Sequence, residues 1–183
     1  IGSHLLEALL KSDYKIIVLK RSTSNTWRIN HLLHKVQIYN SDDCSYDEIF
    51  SINSIDTIIH LATLYRKHDD GKDADEMIQT NVTFPINLLE TGLRYGIKAF
   101  FNTGTFFEYD CSKLPIDEQA KIRPFNLYAK TKIAFEKMLS SYSERLVIKT
   151  FRLFSPYGEK DNNKLIPLII QKALQGEELN LSD

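Results

Sequence analysis

The sequence contains 183 residues with a formal net charge of −1, and hydrophobic residues make up 43% and charged residues 26% of it. This size and balance are typical of one soluble globular domain, and the near-zero charge excludes a broad basic surface that would attract nucleic acid. The apolar runs all fall short of the ~20 residues that a membrane helix needs, so we expect neither a membrane nor a nucleic acid as partner.

Hydrophobic periodicity alternates between helical and strand spacing along the chain. It predicts helices at residues 3–12, 46–52, 74–95, 126–143 and 162–174, the third of them interrupted near Pro85, because proline removes a backbone donor. It predicts strands at residues 15–19, 35–39, 57–62, 98–103 and 146–151. Strands that alternate with helices indicate an α/β fold with a parallel sheet covered on both faces, and such sheets bind ligands beyond the carboxyl ends of their strands.

The first residues, Ile-Gly-Ser-His-Leu at 1–5, already lie in a predicted helix. Gly2 resembles the last glycine of a dinucleotide-binding loop, which lets the first helix pack closely on the sheet. We therefore expect the first strand of the sheet to be missing from this chain. That strand is central in the order 3-2-1-4-5-6. The strands at 15–19 and 57–62 should then flank an open lane ~9–10 Å wide instead of pairing directly.

The two cysteines, Cys44 and Cys111, are far apart in the sequence. Neither stands at the spacing from other cysteines or histidines that is typical of metal ligands. We therefore expect two free thiols, a reducing cytoplasmic location and no metal site.

Tyr128 and Lys132 are four residues apart in the helix predicted at 126–143, so their side chains share one face. A lysine ammonium beside a phenol favours the phenolate and lowers the pKa of the tyrosine, which then serves as a general acid or base near neutral pH. The same spacing recurs at Tyr109 and Lys113 in a predicted loop, where the two side chains share no helical face. We interpret that second pair as coincidence.

Hydroxyl groups stand at the carboxyl end of the strand predicted at 98–103, which leads into Thr103-Gly104-Thr105. A hydroxyl there can hydrogen-bond a substrate oxygen while the tyrosine transfers the proton. Thr105 is the preferred candidate for this role and Thr103 is the second. Either threonine alone equally suits a strand and a turn, so the assignment depends on their occurrence together with Tyr128.

Short motifs follow one another over nearly the whole chain. They are Ile-Gly-Ser-His-Leu at 1–5, Ile-His-Leu-Ala at 59–62, Asn-Val and Asn-Leu-Leu within 81–89, Thr-Gly-Thr-Phe-Phe-Glu-Tyr at 103–109, Tyr-Ala-Lys-Thr-Lys at 128–132, Arg-Leu-Phe-Ser-Pro-Tyr-Gly at 152–158 and Leu-Ile-Pro at 165–167. In this order and spacing they resemble the extended short-chain dehydrogenase/reductase family, in its nucleotide-sugar epimerase/dehydratase branch.

The resemblance implies a Rossmann-type doubly wound parallel sheet. It places an NAD(P)-binding domain over residues 1–160 and the start of a substrate-binding region at 161–183, and we expect both to be truncated here. It also implies an enzyme that acts on nucleotide-linked sugars, with a homodimer as a candidate state of the full-length protein.

The resemblance also assigns roles to individual residues. Tyr128 becomes the acid/base, Lys132 orients the cofactor ribose, and Thr105 holds the substrate oxygen. The residues expected to contact the cofactor are Gly2, Lys20, Arg21, Ser22, Asp42, Leu61, Ala62, Thr103, Tyr128, Lys132 and Phe154. The residues expected to contact the substrate are Asn81, Thr105 and Ser155. His60 is expected to be a packed residue at a strand end.

The end of the strand predicted at 15–19 bears on the choice between NAD and NADP. An acidic residue there binds the ribose 2′-hydroxyl, whereas an arginine accommodates a 2′-phosphate. This strand ends in Lys20-Arg21-Ser22, without a carboxylate. We therefore predict NADP(H) with Arg21 as the main phosphate partner, keep NAD as the alternative, and take Asp42 as a candidate adenine contact.

Two departures from the family pattern bear on the reaction. Dehydratases of this branch carry an acidic pair directly after the catalytic threonine, whereas Phe106-Phe107 follows Thr105 here, which argues against 4,6-dehydration. Ser155 stands where many epimerases carry an asparagine. The sequence therefore favours an NADP(H)-dependent 4-keto-reductase of a nucleotide-linked deoxysugar. The alternatives are an NAD-dependent nucleotide-sugar 4-epimerase and a non-catalytic NAD(P)-binding regulatory module.

Overall fold

The computed structural model describes residues 1–66, 73–112, 114–161 and 164–178. They divide into two compact units, Ile1–Leu153 and Phe154–Asp183. The strands of the first unit are β1 (Ile17–Lys20), β2 (Gln37–Asn40), β3 (Thr57–His60), β4 (Ala99–Thr105) and β5 (Val147–Leu153). Its α-helices are α1 (Gly2–Leu9), α2 (Tyr46–Ile52), α3 (Ala74–Ile78), α4 (Phe84–Arg94) and α5 (Leu127–Ser140), and the second unit contains α6 (Leu165–Gln175).

The strands form two parallel sheets. β1 pairs with β2, with Ile17 opposite Gln37, and β4 lies between β3 and β5. In the doubly wound order 3-2-1-4-5-6, β1 and β2 correspond to strands 2 and 3, and β3, β4 and β5 correspond to strands 4, 5 and 6. The predicted α/β class with parallel strands is therefore confirmed. Among the strands described, β1 and β3 do not pair with each other, as expected, while the width of the lane between them stays a prediction.

The predicted elements agree with the observed ones in type and order, and mainly their ends differ. α2 has the predicted bounds, whereas β1 begins at Ile17 instead of residue 15. The start of the last helix, predicted at Asn162, and the loop residue Lys113 lie outside the described residues. The units divide after Leu153, and the domain boundary at residue 160 stays a prediction. Within the described part of the chain, all helices are too short or too polar to cross a bilayer.

The long helix predicted at 74–95 is interrupted by a π-helical turn at Gln79–Thr83, between α3 and α4. Pro85 is the second residue of α4. A proline ring donates no hydrogen bond and clashes with the carbonyl group four residues earlier, which here belongs to Asn81. The helix widens at that point into a π turn, a form that occurs as single insertions within α-helices.

The core of the first unit is formed by β3 and β4 together with helices α4 and α5. Leu89, Phe100 and Phe135, one each from α4, β4 and α5, are all completely buried. Burying a side chain of this kind contributes roughly 1.5–3 kcal/mol. This packing fixes α5 against the sheet, which brings the first turn of α5 to the carboxyl end of β4.

His60, the last residue of β3, is a core residue, as expected. Its ring packs against Phe84, Phe100 and Phe135, with centroid separations of 5.8, 6.0 and 5.6 Å. Burial, and then the nearby charge of Lys132, lower the pKa of His60 to about 3. The imidazole is therefore neutral at physiological pH. The thiols of Cys44 and Cys111 are both free, which confirms that prediction as well.

Candidate active site

Tyr128 and Lys132 are both buried near the start of α5. The side chain of Asn126 caps this helix by accepting a hydrogen bond from the N–H of Ala129 at 2.9 Å, an arrangement that fixes where a helix begins. Tyr128 follows one residue into the helix and Lys132 lies one turn further on. Their exposed fractions are 9% and 1%. The two side chains share the inward face of α5, which the spacing predicted.

Thr105, the last residue of β4, meets Tyr128 from the side of the sheet. Its hydroxyl oxygen accepts a hydrogen bond from the N–H of Phe107 at 3.4 Å, and its side chain lies close enough to the phenol of Tyr128 to lower the pKa of that group through hydrogen bonding. Thr103 is engaged differently, because its hydroxyl donates to the carbonyl of His60 at 3.0 Å. The structure therefore favours Thr105 over Thr103 as the hydroxyl partner of the tyrosine.

A second hydroxyl near the tyrosine, that of Thr63, was missed by the sequence analysis. Thr63 lies in the loop after β3, where its hydroxyl donates to Oδ1 of Asn81 at 3.1 Å and lies close enough to Tyr128 to lower the pKa of the phenol. The signal was available, since Thr63 is a hydroxyl residue just past the carboxyl end of a buried strand, as Thr105 is. It was overlooked because the matching motif ends one residue earlier, at Ala62.

The pKa of Tyr128 lies above its ordinary value, which is opposite to the predicted direction. Burial raises it by penalising the phenolate, the hydrogen bond from Thr63 lowers it, and the nearby charge of Glu108 raises it further. The expected lowering by the Lys132 ammonium is not among the main influences on the pKa of this phenol. Burial lowers the pKa of Lys132 to about 8, with Glu108 and Glu136 acting in the opposite direction.

Lys132 carries a buried ammonium group without a partner: among the described residues, none hydrogen-bonds to its Nζ. A buried hydrogen-bond donor without a partner destabilises the folded protein by about 1–3 kcal/mol, and by more when the donor is charged. Such a group is able to hold an oxygen-bearing ligand, because ligand acceptors would replace the water that the ammonium has lost.

Next to Lys132 lies a cluster of charged side chains for which the sequence predicted no role. Arg152 of β5 donates from Nε to Oε2 of Glu108 at 2.6 Å and from Nη1 to the hydroxyl of Tyr109 at 2.9 Å, and it also bonds to Glu136 of α5. Glu108 lies in the 3₁₀ turn Phe106–Glu108 and is completely buried. Fully buried carboxylates are rare unless paired. These bonds join Arg152 to residues 44 and 16 positions earlier in the sequence, so a local pattern could not reveal them.

Aromatic rings surround the outer side of Tyr128. Tyr65 meets the Tyr128 ring edge-to-face at a centroid separation of 5.0 Å and stacks on Phe107 at 6.4 Å. Phe107 in turn contacts Phe106 at 4.2 Å and Phe125 at 5.8 Å. Phe106, Phe107 and Phe125 also line an open cleft of about 540 Å³. The wall next to the tyrosine is therefore apolar where the family's dehydratases carry acids.

The end of β1 holds most of the residues predicted to select the cofactor. Lys20 donates to the side-chain oxygen of Asn40 at 2.8 Å. Ser22 donates its backbone N–H to Asp42 at 2.8 Å and its hydroxyl to the same carboxylate. These bonds lower the pKa of Asp42, which keeps it charged. Asp42 therefore brings a carboxylate to a strand end whose own sequence has none, beside exposed Arg21.

Four further residues that were predicted to contact cofactor or substrate lie around the loop after β3. Gly2 starts α1, and a Cβ added there would lie 3.4 Å from Leu61, an ordinary contact, so close packing at Gly2 tolerates a methyl group. Ala62 is exposed next to Leu61. Asn81 is completely buried and exchanges hydrogen bonds of 2.7 and 2.9 Å with the backbone of Leu64. Its amide is saturated by protein groups, which argues against the predicted substrate contact.

Phe154 and Ser155 begin the second unit, directly after β5. Phe154 is exposed, and Ser155 has a positive φ of 38°, a conformation that a serine seldom adopts. Their predicted contacts with cofactor and substrate stay predictions.

The whole chain, residues 1–183, matches the model of the family described as "NAD dependent epimerase/dehydratase family". The chain belongs to this family. One similar family member is a UDP-glucose 4-epimerase from Halalkalibacterium halodurans, which is 30% identical over 97% of this chain and 57% of its own length. Another is a CDP-abequose synthase from Salmonella muenchen, which is 27% identical over 98% of this chain and 58% of its own length.

The fold of the family is also evident from solved structures. The UDP-glucuronic acid 4-epimerase from Bacillus cereus, solved in complex with UDP-glucuronic acid and NAD, superposes with a TM-score of 0.82 at 23% identity. The match covers 97% of this chain and 60% of that structure. The chain thus has the Rossmann-type fold of the epimerase structures, and it spans about three fifths of the length of the epimerase/dehydratase relatives it matches.

Proposed function

We propose that the protein is an NADP(H)-dependent 4-keto-reductase of a nucleotide-linked deoxysugar. The observation that carries the proposal is a buried Tyr128 that has the side chains of Thr105 and Thr63 beside its phenol and aromatic rings instead of acids on its outer side. The nucleotide-sugar class comes from the relatives that the chain resembles, a UDP-glucose 4-epimerase and a CDP-abequose synthase.

The residues present fit a nicotinamide dinucleotide. The buried Nζ of Lys132, which no described residue satisfies, needs acceptors, and ribose hydroxyls are acceptors of the required kind. Lys132 and Tyr128 would hold the nicotinamide ribose, and Arg21 the adenosine end. When bound, the dinucleotide supplies the hydride.

Tyr128 is suited to donate a proton. Because its pKa is raised, it is protonated at neutral pH, which is the state that a general acid needs when a carbonyl oxygen becomes a hydroxyl. Thr105 lies beside the phenol, and its hydroxyl, which accepts from Phe107, would donate a hydrogen bond to that oxygen. A reaction that began by oxidising a hydroxyl would instead need the phenolate, which burial disfavours.

The aromatic wall suits a sugar that lacks hydroxyl groups. Tyr65 stands next to Tyr128 and stacks on Phe107, so a substrate carbon close to the reacting carbonyl would face rings. A hydroxyl group there would lose its hydration without gaining a partner, whereas a methyl or methylene group buries favourably. Deoxygenated positions are therefore favoured on this side.

A second candidate is an NAD-dependent nucleotide-sugar 4-epimerase. The Ser22–Asp42 pair favours it, because the charged Asp42 carboxylate would accept a hydrogen bond from a ribose 2′-hydroxyl and repel a 2′-phosphate. This repulsion opposes the attraction of Arg21, and the balance between them sets the cofactor preference.

The experiment that tests the proposal incubates the intact protein with NADPH and a nucleotide-linked 4-keto-6-deoxysugar. A 4-keto-reductase oxidises one NADPH for each 4-hydroxy sugar formed. Interconversion of a UDP-hexose and its 4-epimer, with no net change in the dinucleotide, would establish the second candidate. Dinucleotide binding without turnover of either substrate would favour the non-catalytic module.

A further inference from the structure

We propose that Glu108 is the positioning residue of this site: its two carboxylate oxygens join the backbone of Thr105 to the guanidinium of Arg152, and its charge faces Lys132. This assignment rests on the proposed roles of Thr105 and Lys132. Glu108 itself touches neither substrate nor cofactor in this scheme and acts through those two residues.

The contacts of Glu108 account for both of its oxygen atoms. Oε1 accepts the backbone N–H of Thr105 at 2.8 Å, and Oε2 accepts Nε of Arg152 at 2.6 Å. The side chain is completely buried, so water does not compete for these bonds. Thr105 is held from both sides, since its own hydroxyl oxygen accepts from Phe107. This reciprocal arrangement fixes the end of β4 and with it the hydroxyl of Thr105.

The strand beneath Glu108 is shaped to receive it. A Cβ added at Gly104 would lie 2.8 Å from Oε1 of Glu108 and 2.8 Å from Cγ of Arg152. Separations that short are not found between real atoms of this kind. Gly104 therefore leaves the space in which the carboxylate and the guanidinium meet above β4.

The charges around Lys132 are balanced by neighbouring side chains. Lys132 is faced by Glu136 on its own helix and by Glu108 from the 3₁₀ turn, both of which favour its charged form. Arg152 from β5 bonds to both glutamates, and the neutral His60 faces Lys132 from β3. Two carboxylates thus oppose two cations. Removing one carboxylate leaves Lys132 beside an uncompensated guanidinium.

Three variants of the intact protein separate the two roles. Glu108→Gln keeps an acceptor for the N–H of Thr105 and removes the charge. Glu108→Ala removes both. Glu136→Gln is the matched control, because it removes a charge that also faces Lys132 while Glu136 makes no bond to Thr105. Dinucleotide binding is measured across pH with NADPH and NADH as probes, and turnover is measured as kcat and KM.

Binding that depends on the Lys132 ammonium should weaken above its pKa of about 8. We expect Glu108→Gln and Glu136→Gln each to move this midpoint to lower pH by roughly one unit, as loss of a neighbouring opposite charge does. Glu108→Ala should in addition lower kcat roughly 100-fold with KM little changed, because a group displaced by about 1 Å loses about that much. Glu136→Gln should leave most of kcat in place.

If Glu108→Gln leaves the pH midpoint of dinucleotide binding unchanged, the charge of Glu108 does not act on Lys132. If kcat of Glu136→Gln is as low as that of Glu108→Ala, Glu108 does not act by positioning Thr105. If Glu108→Ala does not fold, Glu108→Gln and Glu136→Gln decide the matter through the binding midpoint and kcat. Failure of the proposed function shows separately, as normal pH-dependent dinucleotide binding without reduction of a 4-keto sugar.

Discussion

Replacing Lys132 by methionine should stabilise the folded protein while removing a residue that the proposed function needs. Methionine matches the length of the lysine stem and carries no charge. Burial lowers the pKa of Lys132 from an ordinary 10.5 to about 8, which means that the fold disfavours its ammonium form. The difference in pKa of about 2.5 corresponds to about 3 kcal/mol in the free energy of unfolding, since one pKa unit is about 1.4 kcal/mol.

The pH dependence has a defined sign. Below about pH 8 the lysine is protonated in both states, and the folded state carries the full penalty. Between about pH 8 and 10.5 the unfolded chain still binds a proton that the folded protein has lost, so wild-type stability rises with pH. The advantage of Lys132→Met should therefore be largest near neutral pH and shrink as pH approaches 10.5.

Urea unfolding of the wild type and the variant at several pH values measures this difference. Lys130→Met is the matched control, because Lys130 lies on the same helix and is exposed, and it should change stability little. A Lys132→Met protein that is less stable than wild type at neutral pH would refute the reasoning. A stability difference that is constant with pH would refute it equally.

Four other substitutions should have defined outcomes. Tyr128→Phe should lower turnover of the intact enzyme by roughly 10²–10⁴-fold. Dinucleotide binding, measured by fluorescence titration, should stay nearly unchanged. Near-normal turnover of the variant would contradict the role of Tyr128 as the acid. Arg21→Ala should weaken NADPH binding by about tenfold or more. Asp42→Asn should strengthen NADPH binding, because it removes the repulsion between the carboxylate and the 2′-phosphate. Equal binding of NADPH and NADH by the wild type would contradict the cofactor proposal. Gly104→Ala should destabilise the fold by roughly 1–3 kcal/mol in thermal or urea unfolding, whereas Gly158→Ala, where an added Cβ meets nothing within 4 Å, serves as its control.

The fold was predictable because its signals are local. Runs such as Ile16–Leu19 and Thr57–His60 are short, apolar and rich in β-branched residues, which indicates buried strands, and the leucines of α1 recur with the period of a helix. The ends of elements were less predictable, because they depend on capping bonds such as that of Asn126 to Ala129.

The candidate site was predictable only where its residues fall into short motifs. Tyr128, Lys132 and Thr105 were found in this way. Glu108 was part of a recognised motif, but its purpose depends on Arg152, which is 44 residues away. The pKa of Tyr128 was predicted in the wrong direction, because the depth of burial follows from the packing of α5 on the sheet and cannot be seen in a four-residue spacing.

The π turn at Gln79–Thr83 has a consequence for how this protein tolerates insertions and deletions. A π turn accommodates one residue more than an α-helix does over the same rise. Deleting one residue there, other than Asn81, would restore a regular α-helix and leave α3 and α4 in their present rotation about the axis, because the π turn takes up the additional residue. A deletion near the start of α4 would instead rotate every residue beyond it by roughly 100°, since an α-helix has 3.6 residues per turn, and would turn Leu88 and Leu89 out of the core. A change in the length of this helix is therefore tolerated at the π turn and not in the regular turns beside it.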